Sequence, residues 1–90
     1  MRIDKFLKLS RLVKRRAVAC EMVDVGAVRL NGRKVKPSAE VRDSDVIEVA
    51  YPKRIIRAEV ITADERTIKR GGASVRVTED RRLAEDEIPW

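Results

Sequence analysis

The feature that most constrains the fold is an Asn-Gly pair at residues 31–32, set between two short β-like stretches. Asn-Gly suits the two central positions of a type I′ turn, whose twist matches that of paired strands. Val28 and Leu30 alternate with their neighbours before this pair, and Val35 follows it. The sequence therefore predicts a tight antiparallel hairpin in the first half of the chain.

A helical pattern precedes the hairpin at the start of the chain. Ile3, Phe6 and Leu7 follow the i, i+3, i+4 spacing of one helical face. This spacing predicts a first helix over residues 2–9, with Phe6 in the core and Lys5 and Lys8 pointing away from it.

A second apolar series with the same spacing comprises Val18, Ala19, Met22 and Val23. It predicts a second helix over residues 15–25. Gly26 follows at the position where a left-handed residue would end that helix, because glycine adopts positive φ without steric cost.

Three more strands are expected after the hairpin. β-branched residues predict a strand over 46–50, an alternating stretch predicts one over 55–61, and Val75 and Val77 predict a short fifth. From Thr78 to Trp90 the chain has five acids and few apolar residues, so we expect it to be loose. The predicted class is α+β, with two N-terminal helices packed on a small, mainly antiparallel sheet of four to five strands.

The positive charge is concentrated in the first third of the chain. Residues 1–36 hold eleven lysines and arginines against three acids, whereas residues 37–90 hold ten against twelve. Such an asymmetry indicates a polyanionic partner, either nucleic acid or an anionic membrane surface. There is no apolar run of about 18 residues and no signal-peptide pattern after Met1, so we expect a cytoplasmic protein without a membrane partner.

The sequence argues against catalysis. It has no histidine, the commonest general base, and its single cysteine, Cys20, lies within the helical pattern, where we expect a buried and inert thiol. No zinc-site spacing, metal site or cofactor motif is present, so no cofactor is expected. Isolated carboxylates are interpreted as surface or turn residues; they are Asp4, Asp24, Asp43 and Asp45.

Seven cations fall within fifteen residues on or between the two predicted helices. They are Arg2, Lys5, Lys8, Arg11, Lys14, Arg15 and Arg16. Arg15 and Arg16 oppose the positive end of the second helix dipole, and a phosphate held by their guanidinium groups and the free backbone N–H groups would offset that cost. The alternative is that these are solvated helix positions.

The hairpin adds more cations, namely Arg29, Arg33, Lys34 and Lys36. Of these, Arg33 and Lys34 are candidates to contact a second phosphate strand, although an ordinary polar sheet face explains them nearly as well. The only aromatic residues are Phe6, Tyr51 and Trp90. Recognition of shape and phosphates in folded RNA is therefore favoured over base stacking.

Four motifs in this order resemble the S4 RNA-binding domain: RIDKFL (2–7), R-x-x-A (16–19), GAVRLNG (26–32) and VKP (35–37). The resemblance implies the αL fold, in which a helical face and adjacent loops bind structured ribosomal or transfer RNA. It covers residues 2–50, the core motif. We expect a β extension over 51–78 to complete an S4-like domain at 1–78, followed by an acidic, flexible tail at 79–90 that has no counterpart in the family.

Two positions depart from the S4 pattern. Arg15 stands where many S4 domains have a serine at the start of the second helix, which removes a helix cap. Ser44 replaces the usual turn glycine before Asp45.

The short chain and the stretch LSRLVKRR (9–16) are similar to the free-standing RqcP (YabO) family of ribosome quality control. This resemblance implies a protein that binds 23S rRNA and P-site tRNA on stalled large ribosomal subunits and supports nascent-chain tailing, beside the tailing factor. We expect the protein to be a monomer. Arg2 and Arg16 match the family's RNA-contacting positions.

Three alternatives remain open. The first is a heat-shock-type S4 protein that rescues large subunits carrying nascent-chain tRNA. The second is a generic rRNA-binding or assembly factor. The third is a regulatory subunit whose acidic tail binds a protein partner.

Overall fold

A computed structural model describes residues 1–90. It has three helices: α1 (Ile3–Leu9), α2 (Arg16–Asp24) and α3 (Glu65–Lys69). It has five strands: β1 (Val28–Leu30), β2 (Arg33–Lys34), β3 (Val46–Tyr51), β4 (Arg54–Val60) and β5 (Val75–Arg82). The strands form one antiparallel sheet in the order β2-β1-β3-β4-β5. The predicted α+β class is confirmed. None of the three helices has the length and apolar character of a membrane-spanning segment.

The core lies between the helices and one face of the sheet. The predicted apolar face of α1, including Phe6, is fully buried, and it joins Ala19 and Val23 of α2 and Ile47 and Val49 of β3. Alternation along β1 sends Val28 and Leu30 into the same core.

Two expectations about α2 are wrong. Val18 was predicted on the buried face but is 43% exposed, because α2 turns Ala19 and Val23 toward the core. Cys20 is half-buried rather than fully buried.

The hairpin has the predicted geometry. Asn31 and Gly32 have φ values of 51° and 77°, as a type I′ turn requires, and Leu30 pairs with Arg33 across the turn. The Asn31 side chain also accepts from the Val46 N–H at 2.9 Å, which ties the turn to the start of β3. Gly26, at φ 82°, ends α2 as expected.

The turn before β3 is held by carboxylates. The Asp45 side chain accepts from the Arg42 N–H at 2.9 Å, which is the expected turn role. The Asp43 side chain instead accepts from the Ala63 N–H at 2.9 Å and ties the turn to the segment after β4. Ser44 adopts a φ of 72°, a left-handed conformation that favours glycine.

The end of the chain is more ordered than the sequence predicted. Strand β5 runs to Arg82, so the expectation of a loose chain from Thr78 is wrong for residues 78–82. Backbone pairing with β4 does not depend on apolar side chains, and Thr78 is an extra residue between the pairs Ala58–Val77 and Arg57–Glu79. The boundary at residue 78 between domain and tail stays a prediction.

Helix α3 was missed by the sequence analysis. It has five residues, and its N-cap Asp64 accepts from the Thr67 N–H at 3.2 Å and from the Thr67 hydroxyl at 2.6 Å. The helix is too short to show a periodic apolar face, so its only sequence signal was this cap.

Candidate nucleic-acid interface

The predicted cations on and between α1 and α2 are here called the basic surface, and Asp4 lies at its centre. They are Arg2, Lys5, Lys8, Arg11, Lys14, Arg15 and Arg16. Its carboxylate accepts from Arg2 at 3.2 Å (Nε) and 3.0 Å (Nη2), from Arg16 Nη2 at 3.4 Å, and from the Lys5 backbone N–H at 2.7 Å. The Asp4 side chain is only 4% exposed, whereas those of Arg2 and Arg16 are 52% and 48% exposed. One buried carboxylate therefore holds two half-exposed guanidinium groups, one from the N-cap residue of α1 and one from the first residue of α2.

The surface role predicted for Asp4 is wrong. It lies on the first turn of α1, three residues before the buried Leu7, and it is itself buried. That spacing was the available signal, because residues i and i+3 of a helix are neighbours and Asp4 therefore borders the apolar face. The guanidinium partner Arg16 is twelve residues away and depends on helix packing.

Lys5 forms an ion pair within the protein. Its Nζ lies 2.7 Å from Glu65 Oε1 of α3, and Lys69 Nζ reaches the same oxygen at 3.3 Å. Hydrogen bonds from Lys5 and Lys69 hold the pKa of Glu65 below its ordinary value. Lys5 is therefore less available to a phosphate than Lys8, Arg11 and Lys14, which have no ion-pair partner.

Lys8, Arg11 and Lys14 share one depression. They surround the apolar side chains of Leu9 and Ile68 in a volume of about 510 Å³. The depression also includes Lys69, a cation that the sequence analysis missed because α3 was not predicted. No carboxylate lies within ion-pair distance of Lys8, Arg11 or Lys14, so their charge is free for an anion.

Arg11 occupies a strained backbone position in the connection between α1 and α2. Its φ is 65°, in the left-handed region that non-glycine residues seldom adopt. Strain of this kind persists where the surrounding structure imposes it. Here the connection is held by hydrogen bonds from Arg11 N–H to the Lys8 carbonyl and from Val13 N–H to the Leu7 carbonyl, both at 3.1 Å.

The start of α2 has no side-chain cap, as the Arg15 departure predicted. Arg15 is the N-cap residue, it is exposed, and no side chain bonds to the first backbone N–H groups. Arg15 and Arg16 therefore combine two cations with uncapped donors at the positive end of a helix dipole.

The segment that follows the hairpin is connected to the start of α1 by backbone hydrogen bonds. The Ile3 N–H donates to the Ala39 carbonyl at 2.8 Å, and the Asp4 N–H donates to the Pro37 carbonyl at 3.3 Å. The segment that follows β2 is thereby fixed beside the Asp4 cluster. Three of the four hairpin cations, Arg33, Lys34 and Lys36, are exposed.

Arg29 differs from the other hairpin cations. It is half-buried, and its guanidinium carbon lies 4.9 Å from the centre of the Trp90 ring. This contact joins the last residue of the chain to the hairpin, and no sequence pattern indicated it.

The interface offers fixed positive charge and hydrogen-bond donors. Its only buried charge is a carboxylate already bound by arginines, and no group of three or more His, Cys, Asp or Glu side chains is placed to hold a metal ion. Such an arrangement suits the binding of phosphate groups by charge-assisted hydrogen bonds.

Comparison with known proteins supports this interpretation. The family model of the S4 domain matches residues 1–47. The chain is 37% identical over 75 residues to the RQC P-site tRNA stabilizing factor of Bacillus subtilis strain 168, covering 83% of this chain and 87% of the relative. It is 58% identical over 55 residues to the protein of the same name in Helicobacter pylori strain J99, covering 61% and 66%.

A solved structure has a similar fold. The trimeric structure of heat shock protein 15 of Vibrio cholerae superposes with a TM-score of 0.76 at 28% identity. The match covers 87% of this chain and 81% of the other.

Proposed function

Because the chain belongs to the S4 domain family and, within it, to the RQC P-site tRNA stabilizing factors, we propose that it is a non-catalytic ribosome-binding protein. Its RNA partners are 23S rRNA and P-site tRNA on stalled large ribosomal subunits. By holding the tRNA in one arrangement it supports nascent-chain tailing, beside the factor that adds the residues.

The observation that carries this proposal is the pair of guanidinium groups on Asp4. Arg2 and Arg16 are each about half exposed, and their carboxylate partner is buried. Arginine binds phosphate through two parallel N–H donors, and a guanidinium that is already oriented loses less conformational entropy on binding. Arg2 and Arg16 are therefore proposed as the principal phosphate contacts.

The other cations have supporting roles in this proposal. Lys8, Arg11 and Lys14 receive a neighbouring phosphate in the depression beside α3, and Arg15 adds charge at the start of α2. On the hairpin, Arg33 and Lys34 set the orientation of the RNA. Lys5 contributes least, because it is paired with Glu65.

Sedimentation of lysates through sucrose gradients tests the proposal. Tagged wild-type protein should migrate with large subunits that carry tRNA, and Arg16→Ala should move to the top of the gradient. Arg57→Ala is the matched control, because Arg57 is an exposed arginine in the middle of β4, outside the basic surface. Wild-type protein that migrates free of ribosomal subunits would overturn the proposal.

A second candidate is a heat-shock-type rescue function. The structural similarity to heat shock protein 15 favours it, whereas the five acids in residues 79–90 do not strengthen attraction to RNA. A tailing assay on large subunits loaded with peptidyl-tRNA and the tailing factor distinguishes the two functions. Addition of this protein should increase the number of added residues under the first proposal and leave it unchanged under the second.

A further inference from the structure

Residues 83–90, here called the strap, run from the end of β5 to the segment just before β1. The Leu83 N–H donates to the Lys53 carbonyl at 2.9 Å, in the turn between β3 and β4. At the other end, the Trp90 Nε1–H donates to the Gly26 carbonyl at 2.9 Å, just before β1. The strap therefore returns from the end of β5 to the base of the hairpin.

Trp90 covers Arg29 on the face of the sheet opposite the helices. Arg29 lies between Val28 and Leu30, which are buried in the core, so its side chain emerges on the other face. The Trp90 ring lies 4.9 Å from the guanidinium carbon and is only 38% exposed. The contact is a cation–π interaction, supported by the indole hydrogen bond.

With Trp90 in this position, one hydrogen-bond donor of Arg29 has no acceptor. Its Nε is buried and has no hydrogen-bond partner. A buried donor without a partner is costly, most of all on a charged group. A phosphate oxygen would supply the missing acceptor, and the Trp90 ring, which lies over the guanidinium group, covers one side of the path to it.

The strap also brings negative charge toward the basic surface. It carries Glu85, Asp86 and Glu87. Glu87, together with Pro89, lines an open groove of about 1240 Å³ that also includes Arg11 and Lys14. Glu87 accepts from Arg81 at 2.6 Å and from the Ala84 N–H at 3.1 Å, which gives the strap its folded shape.

We propose that the strap is an intramolecular competitor of RNA, which covers Arg29 in the free protein and is displaced when RNA binds. Displacement frees Arg29 to join Lys34, its cross-strand neighbour on the same face of the hairpin, in binding a phosphate, and it moves Glu87 away from the groove. The inference rests on the proposed function, because it assigns the hairpin cations to the same RNA.

Removal of the anchor tests the competition. Full-length Trp90→Ala should bind labelled unfractionated bacterial tRNA about five- to tenfold more tightly than wild type, since one cation–π contact and one hydrogen bond no longer oppose binding. The slope of log affinity against log salt should be the same in Trp90→Ala and wild type, because Arg29 contacts a phosphate in both complexes. Arg29→Ala in the Trp90→Ala background should make that slope shallower by about one, the contribution of one phosphate contact.

Ile88→Ala is the matched control, because Ile88 belongs to the strap but is 81% exposed. It should bind tRNA as the wild type does. If Trp90→Ala binds no more tightly than Ile88→Ala, the strap does not compete with RNA and the inference is wrong.

The unmodified protein gives an independent readout, since Trp90 is its only tryptophan. Saturating tRNA should make Trp90 fluorescence more accessible to acrylamide; unchanged or lower accessibility would overturn the inference even if Trp90→Ala fails to fold. Loss of tRNA binding in Arg16→Ala tests the proposed function separately. If neither the wild type nor Trp90→Ala binds tRNA, the proposed function fails and the inference fails with it.

Discussion

Asp4→Asn separates the effect of net charge from the effect of arginine positioning. The substitution keeps the side-chain shape and removes one negative charge, so the formal net charge rises by one from +6. If RNA affinity depended on net charge alone, the variant would bind more tightly. If Asp4 orients Arg2 and Arg16, the variant should bind more weakly, because an amide N–H₂ group cannot accept from a guanidinium.

The size of the loss can be estimated from the exposure of the two arginines. Immobilising a long side chain on binding costs about 0.5–1.5 kcal/mol, and Asp4 orients two of them in advance. Both arginines are about half exposed, so water weakens their restraint and the lower part of that range applies. A total of about 1–2 kcal/mol corresponds to about five- to thirtyfold weaker RNA binding.

Fluorescence anisotropy with labelled tRNA at fixed salt measures this effect. Asp24→Asn is the matched control, because it makes the same charge change at an exposed position near the end of α2. The reasoning is refuted if Asp4→Asn binds as tightly as Asp24→Asn. Urea unfolding should also show that Asp4→Asn loses about 1–3 kcal/mol of stability from its charge-assisted hydrogen bonds, so binding is compared where both variants are folded.

Three further predictions concern stability. Ser44→Gly should raise the free energy of unfolding by about 0.5–1 kcal/mol, because φ is 72° at this position; a lower melting temperature would contradict this. Tyr51→Phe should lower the free energy of unfolding by about 1 kcal/mol, because the Tyr51 hydroxyl, whose pKa is raised by burial, donates a hydrogen bond to the Leu12 carbonyl. An unchanged midpoint of urea unfolding would show that this bond contributes nothing. Hydrogen bonds from Thr67 lower the pKa of Asp64 below its ordinary 3.8, and those from Lys5 and Lys69 lower the pKa of Glu65 below its ordinary 4.5. At acid pH the unfolded chain therefore binds more protons than the folded protein, so the free energy of unfolding should fall as the pH drops below about 4.5. Urea midpoints at pH 6 and pH 3.5 measure the loss, which should be smaller in Asp64→Asn.

The candidate site was predicted in composition but not in arrangement. The dense run of cations from Arg2 to Arg16 was visible in the sequence, because charge density is a local property. The sequence could not show that Lys5 is paired with Glu65, nor that Lys69 joins the depression around Arg11. Those contacts join residues about sixty positions apart and arise only when α3 packs beside α1.

The sequence by itself determined the elements whose signals are local. Periodic apolar positions produced α1 and α2, Asn31-Gly32 produced the hairpin turn, and Gly26 ended the second helix, because spacing and backbone preference act within a few residues. Tertiary structure decided where β5 ends, since its last residues gain order from pairing with β4 rather than from their own composition. It also decided the roles of Asp4 and Trp90, because Arg16 and the Gly26 carbonyl meet them only after helices and strands have packed together.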